Sequence, residues 1–241
     1  MVVARGLWCS LAILAISAQA GEPLVTTSRS VTLASLFPPE EVAELSKTLP
    51  PDTPVIFRLW LSESKTSGVL IFVSPTDSGE PPAGWLPLLQ QKHLSWIAAD
   101  GFGNQKLSAQ RILAAMMARE LLRQTTAVDA ARTYLGGMSG GGRIASLTAT
   151  RFPQYFSGGL YIVGANYWMP KDARLKQRAA SNRYVFITGE RDFNRSDMKN
   201  VFKRYQSAGL TSSLLIDLPD FAHEYPDADQ LAKAIEFLDA R

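Results

Sequence analysis

Three side chains in this sequence could together turn a hydroxyl into a nucleophile: Ser139, Asp192 and His223. Ser139 lies in the run Gly136-Gly137-Met138-Ser139-Gly140-Gly141-Gly142, where Gly137, Ser139 and Gly141 satisfy the spacing G-x-S-x-G. That spacing suits a serine on a sharp strand-to-helix turn, because the flanking positions must be almost free of side chain for the backbone to close. A serine hydroxyl is a weak nucleophile near neutral pH. It needs a base to take its proton and an acid to hold that base in one tautomer. The chain order Ser139, Asp192, His223 is the order expected of an elbow serine, and each of the three follows an apolar, strand-like run.

Each assignment has a competitor. A glycine-rich bend can carry a passenger serine, and His223 could simply bond its own loop. His93, the other histidine, precedes a strand-like run, which puts it at the end of the sheet away from the site. Asp192 competes with Glu190, Asp197 and Asp217 for the acid role. It is favoured because it stands about three residues past the end of an apolar run, whereas Asp217 lies inside one. Acyl transfer also requires two N–H donors facing the oxyanion. Gly140, the residue after the nucleophile, offers one. The second is expected in the loop after residues 69–73, where Pro75 has no N–H and leaves Thr76 or Asp77. Tyr167 and Trp168, in another loop at the same end, could line a substrate pocket or seal the core.

The elements that must position these residues are legible as alternating patterns. Strand-like runs occupy residues 55–61, 68–74, 94–99, 133–137, 160–163, 184–188 and 213–218, and helical patterns occupy 85–91, 108–123, 141–150, 197–207 and 228–239. The first two runs, separated by a polar turn, read as a hairpin or as adjacent strands. Alternation of strand and helix from residue 68 onward predicts an α/β fold with a mostly parallel sheet of about 6–8 strands, covered by helices on both faces. Before it, residues 21–54 are rich in Ser, Thr and Pro, with one helical candidate at 38–47, and read as an N-terminal extension packed on a main domain of residues 55–241. The short linker between residues 164 and 182 predicts no large lid and an open cleft suited to a bulky or polymer-borne substrate.

Composition narrows the function class. The chain has 241 residues, 46% of them hydrophobic and 20% charged, enough for one large domain with a buried core. Arg5, the apolar residues 7–16 and Ala18-Gln19-Ala20 together make a signal peptide over residues 1–20, too short to span a bilayer as the roughly 20-residue apolar segment of a membrane helix would. The mature protein is expected to be secreted or periplasmic, with no stable membrane anchor. The single cysteine, Cys9, falls in the segment to be removed, so thiolate chemistry and cysteine-based metal sites are excluded from the mature chain, and no metal or cofactor is expected. Loss of Arg5 lowers the formal charge from +3 to +2. The basic residues are scattered, without the stripe a nucleic-acid partner requires.

Residues 128–142, Val-Asp-Ala-Ala-Arg-Thr-Tyr-Leu-Gly-Gly-Met-Ser-Gly-Gly-Gly, resemble the segment entering the nucleophile elbow of secreted α/β-hydrolases of the esterase and polyhydroxybutyrate-depolymerase type. Gly189-Glu190-Arg191-Asp192 and Phe221-Ala222-His223 match the places where that family keeps its acid and base. The resemblance covers roughly residues 68 to 241. It implies an α/β-hydrolase fold and hydrolysis of a small-molecule or polymeric carboxylic ester through an acyl-enzyme on Ser139. Members usually carry a His-Gly pair after the oxyanion strand, where this chain has Ser74-Pro75-Thr76-Asp77. A serine peptidase with the same triad and a catalytically weak binding module on the same fold are the rival readings. Intact-mass measurement of the protein recovered from a secreting host is expected to place the mature N-terminus at Gly21.

Overall fold

The computed structural model describes residues 23–64 and 67–240, so the expected signal peptide, Cys9 and part of the turn after residue 61 lie outside the described residues. The strands are β1 (Val25–Val31), β2 (Val55–Leu61), β3 (Gly68–Val73), β4 (Leu94–Ala99), β5 (Thr133–Met138), β6 (Gly158–Ile162), β7 (Arg183–Gly189) and β8 (Ser213–Leu218). The helices are α1 (Leu33–Leu36), α2 (Pro39–Leu45), α3 (Leu86–Gln91), α4 (Ser108–Thr125), α5 (Gly140–Arg151), α6 (Ala173–Ser181), α7 (Arg195–Ser207) and α8 (Ala228–Asp239). One 3₁₀ turn, Ala83–Trp85, leads into α3, and a second, Ala130–Arg132, leads into β5.

All eight strands form one sheet in the order β1-β2-β4-β3-β5-β6-β7-β8. From β4 across to β8 the strands are parallel, and β1 and β2 are antiparallel additions at one edge. Two expectations change here. Residues 55–61 and 68–73 are neither a hairpin nor neighbours, because β4 lies between them, paired antiparallel with β2 and parallel with β3. The fully apolar β3 is stable only where both its edges and both its faces are covered, and it takes the interior position between β4 and β5. The stretch 21–54 also contributes more than its helix, since β1 pairs along its whole length with β2. Its burial is low and irregular, as an edge strand allows.

Side-chain alternation divides the core in two. On β3, Val69, Ile71 and Val73 enter one layer with α1, α4, α5 and α7, while Leu70 and Phe72 enter the other with Trp85, α3 and α8. The same alternation places Tyr184 and Phe186 in the first layer and Val185 and Ile187 in the second. Helices therefore cover both faces. The segment joining β6 and β7 holds a loop and the nine-residue α6, and no large lid is present among the described residues.

Because β4, β3, β5, β6, β7 and β8 all run parallel, the loops that follow them lie at one end of the sheet, the end where open α/β sheets bind ligands. Leu135, fully buried on β5 immediately below the elbow, is expected to lose about 2–5 kcal/mol of stability on substitution by alanine. Urea unfolding followed by tryptophan fluorescence measures it.

Candidate active site

Ser139 joins β5 to α5 with φ 55° and ψ −122°, in the left-handed region that non-glycine residues rarely occupy. Such a backbone costs of the order of 1–3 kcal/mol and persists only where the surroundings impose it. Here the Ser139 N–H donates to the Ile162 carbonyl at 2.8 Å, and its own carbonyl accepts from Arg143 N–H at 3.1 Å. A Cβ on Gly141 would overlap the Val73 carbonyl oxygen, and one on Gly137 would overlap the Gly141 backbone. Both motif glycines are thus required by close backbone approach. Gly140 opens α5, so its N–H is among those that no residue of the helix can satisfy.

The side chains converge as well. His223 Nε2 lies 2.8 Å from Ser139 Oγ, and His223 Nδ1 lies 2.9 Å from Asp192 Oδ1. The Asp192 side chain is fully buried, and the His223 side chain is 21% exposed. Asp192 accepts two further hydrogen bonds, from the Thr188 hydroxyl to Oδ2 at 2.6 Å and from Asn194 N–H to Oδ1 at 3.0 Å. A carboxylate offers acceptors only, so Nδ1 must carry the proton, which leaves Nε2 free to accept from Ser139.

No protein-family model and no curated protein sequence matches the chain. Solved structures do. A ferulic acid esterase superposes with a TM-score of 0.62 at 12% identity, over 90% of this chain and 96% of that one. The S-formylglutathione hydrolase FrmB from Staphylococcus aureus gives 0.61 at 12% identity, over 90% and 98%. A Bacteroides ovatus protein assigned as a dipeptidyl aminopeptidase IV gives 0.60 at 15% identity over 90% of this chain, which spans only 35% of that longer protein. The chain has the α/β-hydrolase fold.

Within this fold the other carboxylates considered for the acid role are paired elsewhere or exposed. Asp217 pairs with Arg195 at 2.9 Å and Lys199 at 2.6 Å, and the Arg195 hydrogen bond, ahead of the Lys199 one, holds its carboxyl below the usual aspartate range. Asp197 meets Arg143 at 3.3 Å, and Glu190 is exposed. His93 begins β4 at the opposite end of the sheet, with φ 48° and its carbonyl accepting from Gly68 N–H.

The loop after β3 is held from three sides. Arg111, itself buried, donates from Nη2 to the Ser74 carbonyl at 2.8 Å and from Nε to the Phe102 carbonyl at 3.1 Å, and burial lowers its pKa. Asn104 N–H donates to the Pro75 carbonyl at 2.9 Å. Tyr225, two residues beyond His223, bonds to Ser74, and burial raises its phenol pKa. Thr76 is exposed, and its N–H donates to Ser74 Oγ at 3.2 Å. That bond must open before Thr76 N–H can serve an oxyanion. The Asn104 carboxamide lies against Gly140, where any side chain at 140 would meet it.

Tyr167 turns toward α7, with the Arg204 guanidinium 3.8 Å from its ring centroid. It lines a cleft of about 440 Å³ with Arg143, Asn166, Asp197 and Asn200, not with Ser139 or His223. Trp168 is 37% exposed. Among the described residues no cluster of three or more His, Cys, Asp or Glu could hold a metal ion, and no helix is long and apolar enough to cross a membrane.

Sequence reasoning did not find Thr188, Asn194, Arg111 or Phe193. A threonine four residues before the acid and an asparagine two after it are short polar residues flanking a buried carboxylate, a pattern that could have drawn attention. Arg111 gave no signal, since its partners are carbonyl oxygens in distant loops. Thr188→Val keeps the shape but removes an O–H donor from a fully buried carboxylate, and is expected to cost about 1–3 kcal/mol in urea unfolding, with Thr188→Ser near wild type.

Proposed function

We propose that this protein is an exported serine hydrolase that cleaves carboxylic esters through an acyl-enzyme on Ser139. The observation that carries this reading is the continuous chain from Ser139 Oγ to His223 to the buried Asp192 carboxylate, at 2.8 and 2.9 Å, on a serine at φ 55°. His223 Nε2 takes the Ser139 proton as Oγ bonds to the ester carbonyl carbon. Asp192 holds the imidazole and stabilises the imidazolium that forms. The negative oxygen of the tetrahedral intermediate turns to Gly140 N–H, with Thr76 N–H as the second donor after release from Ser74 Oγ. Collapse expels the alcohol, which leaves with the proton from His223. A water activated by the same histidine then attacks the acyl carbon, releases the acid and returns the proton to Ser139.

The short β6–β7 segment supplies no large cap among the described residues, which suits a bulky or polymer-borne ester. The ferulic acid esterase and the S-formylglutathione hydrolase also match this chain over nearly their full length, whereas the dipeptidyl aminopeptidase IV is matched over 35% of its own. The signal-like N-terminus supports export.

The wild-type protein is expected to hydrolyse p-nitrophenyl acetate and short-chain homologues faster than aminoacyl p-nitroanilides, and to be labelled by a fluorophosphonate probe. Ser139→Ala should lose both, and Asp192→Asn should lower kcat by about 10⁴-fold through loss of the correct tautomer. Labelling of Ser139→Ala equal to wild type would remove the serine from its role.

A further inference from the structure

Phe193 is the most exposed large apolar residue among the described residues, at 77%, and it sits between two buried neighbours in sequence, Asp192 and Asn194. Both neighbours face inward, Asp192 to His223 and the Asn194 carboxamide to the Val163 carbonyl, while the intervening side chain faces outward. It does not point into empty solvent. Its ring stacks on the His223 imidazole with centroids 4.0 Å apart and planes 21° from parallel. One face of the phenyl ring covers the base, and the rim and opposite face stay open to solvent.

On the reading above, His223 Nε2 must hand its proton to the leaving alcohol, which brings that oxygen within about 3 Å of Nε2. The first carbons attached to the leaving oxygen therefore arrive at the edge of the imidazole, beside the rim of the Phe193 ring stacked on it. A flat apolar substituent there would bury part of a phenyl ring that the free enzyme leaves in water, and aromatic pairs meet offset or edge to face at centroid spacings of about 4.5–7 Å. An alkyl group as small as ethyl does not reach far enough to cover it.

We propose that Phe193 is a specificity-determining platform for the alcohol half of the substrate, and that the preferred substrates are carboxylic esters whose alcohol carries an aromatic ring one or two bonds from the ester oxygen. The inference rests on Ser139 and His223 acting as an ester hydrolase, and adds to that reading which half of the ester is selected and by what contact. The acyl half is left to other surfaces.

The test compares benzyl butyrate with ethyl butyrate, two esters of alcohols with similar leaving ability, on the full-length mature protein. Wild type is expected to favour the benzyl ester in kcat/KM. In Phe193→Ala the benzyl-to-ethyl ratio should fall roughly three- to tenfold, the effect of one aromatic contact, mostly through KM. Phe193→Leu, which keeps bulk without a π-face, should also lose the preference, and Phe193→Tyr should retain it. Equal losses on both esters would show that Phe193 only packs His223 in place, and would overturn the platform. An unchanged ratio would overturn it too. Fluorophosphonate labelling in the same samples separates the two levels: absence of labelling in wild type defeats the hydrolase reading itself, whereas labelling with no benzyl preference defeats this inference alone.

Discussion

The site depends on one close approach, that of the first turn of α5 to the carboxyl end of β3. Gly141 lies so near the Val73 carbonyl that a single methyl group could not be accommodated. This contact lets α5 start directly beneath the loop after β3, and leaves Ser139 with no route between strand and helix except a left-handed backbone. The cost of that conformation is offset by the hydrogen bond from Ser139 N–H to β6 and by the packing of Leu135 and Ile144 on either side of the elbow. The partial exposure of Ser139 and the position of Gly140 at the start of α5 follow from the same geometry.

The acid is organised by a different principle. A buried carboxylate is tolerable only when its lone pairs are satisfied, and Asp192 receives three donors from three kinds of group: a strand hydroxyl, a loop amide and the histidine ring. Two of the three are supplied within four residues in sequence, so the acid is preorganised before His223 arrives. The histidine loop is in turn tied elsewhere, with Trp85 Nε1–H donating to the Pro226 carbonyl at 2.8 Å and Tyr225 packed against Trp85 and Phe72. Loops from β3, β4, β7 and β8 are thereby held to one another, and Ser139, Asp192 and His223 ride on a cross-braced rim rather than on independent loops.

Most of the regular structure was legible because its apolar residues repeat with the strand or helix period over long stretches. The strand at 213–218 and the helix at 228–239 were read with their observed bounds, since turn and capping residues flank both. β1 escaped because an edge strand with exposed faces, Val-Thr-Thr-Ser-Arg-Ser-Val, has no apolar alternation to betray it. The proximity of 55–61 and 68–73 in sequence suggested pairing, but pairing is decided by which strand can cover which edge. The fully apolar β3 needed two parallel neighbours and took them from later in the chain.

For the site itself, residue types and order along the chain were enough to single out Ser139, Asp192 and His223 as candidates, because proton transfer would need a nucleophile, a base and an acid in loops that follow strands, and the fold brings the three within hydrogen-bond distance. Everything about how those three are held was decided by the tertiary structure. The donors to Asp192, the engagement of Thr76 N–H by Ser74, the buried Arg111 bridging two loops and the stacking of Phe193 on the base are contacts between side chains and backbone groups brought together only by the parallel sheet. A hydrogen bond to a carbonyl oxygen leaves no mark on the sequence, since every residue has one, and an exposed phenylalanine has meaning only once the imidazole beneath it is in place.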